Sequence, residues 1–341
     1  MKKKVILSYD YELFFGERSG TVLNSLIKPT NKILDAMESV GFRGNFFVDV
    51  LMIKFLRQNN DTRSIDDLKM IEDQLRDIVR RGHRIELHLH PHWVDAKYNG
   101  DGTWNYDDFH HYSLSSFKEE DIISMFIEGA KYLNSIGSEI IPNYKVCAFR
   151  AGGWAVQPFK KLKKAFISAD IFIDSSSAKG VYAKNTDSFY DFRDLPDYDL
   201  FRFDDDVCVE SIDGRFIEVP ISTMHRNIFD LILNKLWRIF SRRLDCTTDG
   251  THLRKDTSEG LKRAGNVFAK KLRSNYRDMC AFSLYNPLTV FFQLLTHHKR
   301  IACYIDHPKD YTLATTDGIR LISYISKSLT YEEILKLCQK S

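Results

Sequence analysis

The chain of 341 residues is 43% hydrophobic and 28% charged, which excludes a disordered chain and is typical of a folded globular protein. Its formal net charge of +3 is too small to indicate nucleic-acid binding by itself. No run approaches the roughly 20 apolar residues that a membrane-spanning helix requires.

Short runs of β-branched and aromatic residues alternate with longer runs of helical period, which predicts β/α units around a parallel sheet. The predicted strands are Val5–Tyr11, Gly44–Val50, Arg84–His90, Lys145–Phe149, Asp170–Asp174, Phe216–Ile221 and Ile301–Ile305. Predicted helices between them include Pro29–Val40, Ile65–Arg81 and Phe117–Ile136. Each of these helices is expected to stop at the glycine that follows it.

The stretch from about 190 to 300 departs from this rhythm, because an acidic loop there leads into a basic helical segment. No Pro/Gly/Ser-rich linker separates it from the rest, so we predict one domain over 1–341 with an insertion at about 190–300. Within the insertion, Asn227–Leu244 carries apolar and basic residues at helical spacing. Two interpretations stay open: the helix packs on the barrel with a solvated basic face, or it lies on an anionic membrane surface.

The densest cluster of potential metal ligands is formed by His88, His90 and His92. The first two alternate with apolar residues, as on a strand with one apolar face, and Pro91 then ends the strand so that His92 falls in the following turn. Three imidazoles within five residues at a strand end predict a metal site.

The end of the first predicted strand offers two acids, Asp10 and Glu12, which share one face because strand side chains alternate. One carboxylate can bind the metal while the other accepts a proton. The alternative is that both acids only cap the loop that follows.

Three further strand ends carry polar groups that suit catalysis. Arg150 precedes Gly152 and Gly153, whose lack of side chains lets backbone N–H groups approach a ligand closely. Asp174 and His307 each follow a predicted strand. Strand C-termini converge on one mouth of a β/α barrel, so we expect these groups to meet there.

These residues resemble the polysaccharide deacetylase family, also described as NodB-homology or carbohydrate esterase type 4. Its five ordered motifs have counterparts at 8–12, 82–92, 149–154, 174 and 305–307. The resemblance covers roughly 1–180 and 215–341 and implies α/β architecture in a distorted, incomplete (β/α) barrel with a helical insertion. One departure is that Tyr11 separates the two acids of the first motif, where most members have adjacent aspartates.

The resemblance implies metal-dependent removal of an N-acetyl group from a sugar, with Glu12, His88 and His92 as ligands and Asp10 as the base. The roles of the two acids are open to exchange. Two imidazoles and a carboxylate with a position left open suit Zn²⁺, and Co²⁺, Fe²⁺, Mn²⁺ or Ni²⁺ also fit.

The remaining roles also come from the resemblance. Arg150 would orient the base, the backbone N–H of Gly153 would stabilise the oxyanion, His307 would protonate the leaving amine and Asp174 would hold that histidine. The sequence further offers candidates for a substrate groove, which are His90, Trp93 and Trp154. His90 could instead support a ligand, and the tryptophans could simply pack.

The six cysteines show no paired spacing, and the apolar start Val5–Leu7 is too short for a signal peptide. We therefore expect a cytoplasmic enzyme, with the inner membrane face as an option, in the biosynthesis of a surface polysaccharide. Its substrate would be a nucleotide sugar or a lipid-linked saccharide, and no nucleic-acid-binding motif is present. The oligomeric state is not indicated. The alternatives are hydrolysis of a non-sugar amide or cyclic imide, and an inactive glycan-binding barrel.

Overall fold

The computed structural model describes residues 2–106, 110–184, 189–225, 232–234, 236–237, 248–252 and 277–339. The strands are β1 (Lys3–Tyr11), β2 (Asn45–Asp49), β3 (Arg84–Leu89), β4 (Lys97–Tyr98), β5 (Trp104–Asn105), β6 (Ala148–Ala151), β7 (Ile173–Asp174), β8 (Tyr182–Lys184), β9 (Phe189–Asp191), β10 (Phe201–Phe203), β11 (Phe216–Glu218), β12 (Thr223–His225), β13 (Arg277–Met279), β14 (Ile301–Asp306) and β15 (Ser326–Leu329). The α-helices are α1 (Lys28–Glu38), α2 (Val50–Gln58), α3 (Thr62–Arg80), α4 (Glu119–Ser138), α5 (Lys163–Ser168), α6 (Pro287–Thr296), α7 (Leu313–Ser323) and α8 (Tyr331–Cys338).

Most of these strands belong to one sheet with the order β10-β11-β7-β6-β3-β2-β1-β14, and β15 also pairs with β1. All pairs except β10–β11 are parallel. Each of the seven strands predicted from the sequence has its counterpart in this sheet. The predicted alternation of strands and helices is therefore confirmed.

The two ends of the parallel sheet, β11 and β14, approach each other without a regular ladder in the described part of the chain. Just after β11, the Ser222 N–H donates to the carbonyl of Cys303 on β14 at 2.9 Å, and the Ile305 N–H donates to the carbonyl of Cys280 at 3.0 Å. Single residues thus bridge the gap between the ends of a curled sheet. This confirms the predicted distorted, incomplete (β/α) barrel.

Side chains alternate between the inside of the barrel and the layer beneath the helices. A small apolar cluster inside the barrel includes Ile6, Phe47 and Cys303, whereas Leu7 and Tyr9 join the larger cluster that packs against the helices. The inner apolar residues lie towards the starts of the strands. Those polar side chains at the strand ends that share the inner face are therefore directed into one inner pocket.

Helix ends follow the predicted glycines in two of three cases. Gly41 and Gly82 adopt φ of +69° and +82° after α1 and α3, a conformation that glycine tolerates best. Gly137 differs, because α4 continues to Ser138. A Cβ at this glycine would lie 2.3 Å from Cδ1 of Tyr144, so its role is to admit the tyrosine ring rather than to end the helix.

The predicted amphipathic segment Asn227–Leu244 lies mostly outside the described residues, and its two interpretations are untested. Leu233, Leu236 and Trp237, which are described, are 37–49% exposed. Within the described ranges, every helix is too short or too polar to cross a bilayer.

On the outer face of the sheet, Asp174 and Glu218 lie side by side in the register of β7 and β11, and both are fully buried. Ser176 donates its hydroxyl to Asp174 at 2.7 Å, and Ser177 donates to Glu218 at 2.6 Å. Burial, and next the adjacent Asp174, raise the pKa of Glu218 well above its usual value. Burial and the neighbouring carboxylate therefore both oppose ionisation of Glu218 in the folded protein.

Replacing Glu218 by glutamine is expected to stabilise the protein at neutral and alkaline pH. Because the folded-state pKa is raised, folding takes up a proton, and the free energy of unfolding falls as the pH rises from 4.5 through the folded pKa. Between pH 5 and 9, the Tm of E218Q should fall less steeply with rising pH than the Tm of the wild type. The control E210Q, at an exposed loop position, should behave like the wild type. Equal slopes for E218Q and the wild type would contradict the raised pKa of Glu218.

Candidate metal centre and acid–base site

Glu12, directly after β1, is the centre of the inner pocket and is 3% exposed. Its Oε2 atom lies 2.6 Å from Nε2 of His90 and 3.1 Å from Nε2 of His88. Its Oε1 atom accepts a hydrogen bond from Nζ of Lys309 at 2.7 Å. One oxygen of this carboxylate therefore contacts the two imidazoles, and the other accepts a hydrogen bond from an ammonium group.

The charged residues of this pocket shift one another's pKa values. Burial alone would raise the pKa of Glu12, but Lys309, His90 and His88 outweigh it and hold that pKa well below its usual value. Burial would likewise lower the pKa of His88, but Asp10 and Glu12 reverse this and raise it to about 9. The carboxylate is thus ionised, and the pocket favours positive charge opposite it.

Glu12, His88 and His90 form a group whose potential ligand atoms all lie within 4.8 Å of one another. Nδ1 of His88 lies 2.7 Å from the carbonyl of Arg150, so a proton on Nδ1 leaves Nε2 directed at the group. Nδ1 of His90 is buried without a hydrogen-bond partner among the described residues. Two imidazole nitrogens and one carboxylate oxygen in a buried pocket fit a divalent transition metal such as zinc.

The backbone around His90 is held by Asp49, at the end of β2. One oxygen of this fully buried carboxylate accepts the His90 N–H at 3.2 Å, and the other accepts the indole N–H of Trp93 at 2.6 Å. Trp93 itself is fully buried. It therefore supports the histidine strand from behind, which differs from its predicted place in a substrate groove.

His92 is not a member of this group, which differs from its predicted role as the third ligand. It follows Pro91 in a 3₁₀ turn, where its ring lies 4.2 Å from Phe15 and 5.3 Å from Tyr106 between ring centroids. Burial, and next the neighbouring His90, lower the pKa of His92 well below its usual value, so it stays neutral. The backbone explains the outcome. His90, directly after β3, is still extended (φ −110°, ψ 94°) and so shares the inner face with His88, whereas His92 lies within the 3₁₀ turn Pro91–Asp95.

Asp10 and Arg150 form a buried ion pair beside the metal-type group. Nη1 of Arg150 donates to Oδ1 of Asp10 at 2.6 Å, while its other nitrogens bind Ser8 and Ser175. The arginine is fully buried and the aspartate is 3% exposed. Tyr11, between the two acids in sequence, points outwards and donates to Gln74. The predicted common face of Asp10 and Glu12 is thus what the structure has.

His307 lies at the open side of the pocket, with its side chain 22% exposed. Its Nε2 is 3.6 Å from Oδ2 of Asp10 and 3.6 Å from Oε1 of Glu12. Its Nδ1 is 3.4 Å from Oδ2 of Asp310, whose other oxygen lies 2.6 Å from Nε2 of His252. The imidazole of His307 thus lies between Asp10 and Glu12 on one side and Asp310 on the other.

Asp310, three residues after His307, takes the position that was predicted for Asp174. Asp174 lies on the outer face of the sheet, where it pairs with Glu218, so its carboxylate is directed away from the inner pocket. Burial acts to raise the pKa of Asp310, but His252 and His307 outweigh it and lower that pKa. An ionised carboxylate therefore stands behind the imidazole of His307.

The two glycines after Arg150 make room for neighbouring side chains. A Cβ on Gly152 would lie 2.7 Å from Nδ1 of His90, and one on Gly153, at φ +58°, would lie 2.5 Å from the Tyr112 hydroxyl. Trp154 follows, partly exposed, with its ring centroid 6.0 Å from that of Tyr190. Gly153 as an oxyanion donor and Trp154 as a groove residue both stay predictions.

Four residues at the site were not anticipated from the sequence: Asp49, His252, Lys309 and Asp310. The place of Asp49 at the site could be inferred from the sequence, because it is polar and lies at the end of a predicted strand. His252 comes from the insertion, where Thr251 pairs with Arg18 and Asp249 accepts four hydrogen bonds from the loop after β1. Such long-range tethering leaves no local sequence pattern.

A cavity of about 840 Å³ lies elsewhere, lined among others by Gln157, Phe159, Phe189 and Val209. None of the residues of the candidate site borders it. The candidate site is therefore marked by its chemistry rather than by the size of its cavity.

Comparison with known proteins gives matches only among solved structures, since no family model and no curated sequence matches the chain. A Mycobacterium smegmatis protein assigned to the polysaccharide deacetylases matches at 14% identity and a TM-score of 0.46, over 100% of this chain and 92% of that one. The 4-α-glucanotransferase of Thermococcus litoralis matches at 12% identity and a TM-score of 0.50, over 98% of this chain and 38% of that one. The likeness is one of fold.

A family 4 carbohydrate esterase of Streptomyces lividans, in complex with acetate, matches at 10% identity and a TM-score of 0.35, over 95% of this chain and 87% of that one. Polysaccharide deacetylases and family 4 carbohydrate esterases are thus among the solved structures that the chain resembles, as its motifs predicted. The roles of individual residues rest on the geometry of this chain.

Removing the imidazole of His90 is expected to abolish stoichiometric binding of a divalent metal, because only two ligands would remain. His92→Phe keeps the buried ring but removes its nitrogens, so this variant should retain the metal. Metal analysis after dialysis against zinc, together with thermal unfolding of both variants, checks the assignment. Retention of metal by H90A with loss from H92F would restore the ligand set predicted from the sequence.

Proposed function

We propose that this chain is a metal-dependent hydrolase that removes an N-acetyl group from a sugar. The observation that carries the proposal is the arrangement in one pocket of a Glu–His–His group, an arginine-bound aspartate and a partly exposed histidine. Amide hydrolysis needs an electrophile for the carbonyl, a base for the attacking water and an acid for the leaving amine. The three parts correspond to these three needs.

The metal would be held by Glu12, His88 and His90. Zinc is the first choice, and cobalt, iron, manganese or nickel would accept the same donors. When bound, it supplies a Lewis acid that polarises the acetyl carbonyl. The contact of Glu12 with both imidazoles supports its assignment as the ligand, because Asp10 is bound to an arginine instead.

Asp10 would accept the proton of the attacking water. Arg150 holds one oxygen of this carboxylate by a hydrogen bond, while the other oxygen faces His307. The arginine is itself fixed by two serines, so the base is held in a defined orientation. The backbone N–H of Gly153 is proposed as an additional donor to the oxyanion.

His307 would protonate the departing nitrogen, since an amine leaves poorly without a proton. Its position at the exposed edge of the pocket gives it access to substrate. Asp310 lies against Nδ1 of His307 and would orient its ring, and His252 holds that carboxylate from the other side.

An N-acetylated sugar is the proposed substrate, with Trp154 as the proposed stacking platform on the groove wall. We further propose an intracellular role in the synthesis of a surface polysaccharide, which is supported by the unpaired spacing of the cysteines in the sequence. A nucleotide sugar that carries an N-acetyl group would be both an acetylated sugar and an intracellular substrate.

Asp10→Asn is expected to lower acetate release from an N-acetylated sugar by about 10²–10⁴-fold, because the amide cannot accept the water's proton. Metal content should be unchanged, since this residue is not a ligand. The control D213N, at an exposed position, should keep full activity. Acetate release should be tested on N-acetylglucosamine oligomers and on UDP-N-acetylglucosamine, with ring opening of a cyclic imide as the competing assay. Imide opening without acetate release would contradict the proposed function.

Asp310→Asn is expected to lower kcat by about tenfold or more, because the imidazole of His307 loses the carboxylate that lies against its Nδ1 and orients the ring. Metal content should change little, since Asp310 is not one of the proposed ligands, and KM should change less than kcat. Steady-state kinetics beside the exposed control D317N provide the check. An unchanged kcat would show that Asp310 has no part in the acid step.

A further inference from the structure

Lys309 is an almost fully buried lysine in the pocket that we propose for the metal. It is 4% exposed, and its Nζ donates to Oε1 of Glu12 at 2.7 Å and to the carbonyl of Leu13 at 3.0 Å. Its ammonium also lies 4.3 Å from the ring centroid of Phe15. Lysine is rarely buried unless it is paired, so these contacts indicate that the fold holds the ammonium in a defined position.

The two oxygens of Glu12 are divided between different partners. Oε2 contacts the imidazoles of His88 and His90, whereas Oε1 accepts a hydrogen bond from Lys309 at 2.7 Å and lies 3.6 Å from Nε2 of His307. A carboxylate with one oxygen occupied in this way can offer only the other to a metal. The ammonium also places a positive charge on the same buried carboxylate that would bind the cation, and like charges repel strongly where water does not screen them.

We propose that Lys309 is a positioning residue that makes Glu12 a one-oxygen ligand and limits the affinity of the site for its metal. The inference rests on the proposed metal site and adds to it a residue with a role separate from those of the ligands, the base and the acid. A ligand that donates one oxygen leaves more of the coordination sphere open for substrate and water. Lys309 therefore lowers the affinity for the metal and at the same time leaves the metal site accessible to substrate and water.

The test is a comparison of zinc affinities, measured by competition with a chromophoric chelator, across a set of variants of the full chain. Lys309→Met and Lys309→Gln both remove the charge, and the glutamine keeps an N–H donor. Each should bind zinc at least about tenfold more tightly than the wild type. Lys309→Arg keeps charge and donors and should stay within about threefold of the wild type. Lys299→Met, which removes a mostly buried lysine paired with Asp197, is the matched control and should leave affinity unchanged.

A second measurement separates this role from a structural one. Lys309→Met should raise zinc affinity while lowering kcat for acetate release, whereas simple damage to the fold would lower both. Unchanged or weaker zinc binding in K309M and K309Q, in variants that unfold cooperatively, overturns the inference. A wild type that binds no stoichiometric zinc would instead contradict the proposed function itself, so the two failures are distinct.

Discussion

The buried charge of Glu12 is the constraint on which the rest of the site depends. An ionised carboxylate at 3% exposure is unfavourable unless positive groups and hydrogen bonds compensate for the lost water. Here two imidazoles and one ammonium group do so, and they come from β3 and from the turn after β14. Strands that are far apart in sequence must therefore meet correctly for the pocket to be stable, and this requirement links the integrity of the barrel to its chemistry.

The second buried charge pair has a different part. Arg150 and Asp10 satisfy each other, and the serines around the guanidinium occupy its remaining donors. Breaking such a pair leaves an uncompensated buried charge, which typically costs about 3–5 kcal/mol. The pair therefore fixes the proposed base in place. Stability and reactivity share the same contacts in this part of the pocket.

Strand alternation made much of this arrangement accessible from the sequence. It placed Asp10 and Glu12 on one face, and convergence of the strand ends brought Arg150 and His307 to them. The same rule also accounts for two differences. His90 joins His88 because both lie on the inner face, while the family spacing had pointed to His92. Asp174 lies on the outer face, so its carboxylate is directed away from the pocket despite its position at a strand end.

The other residues depend on tertiary contacts that no local pattern records. Asp310 and Lys309 belong to a single 3₁₀ turn after β14, and only the path of that turn brings them to His307 and Glu12. His252 arrives from the insertion through contacts with the loop after β1.

The most direct test of this account is a crystal structure of the zinc-loaded protein with anomalous diffraction data collected on both sides of the zinc absorption edge. We expect one strong anomalous peak bounded by Glu12, His88 and His90, with the Lys309 ammonium still on the far oxygen of the carboxylate. A peak at His92 that excludes His90, or a pocket that holds no metal at saturating zinc, would contradict it.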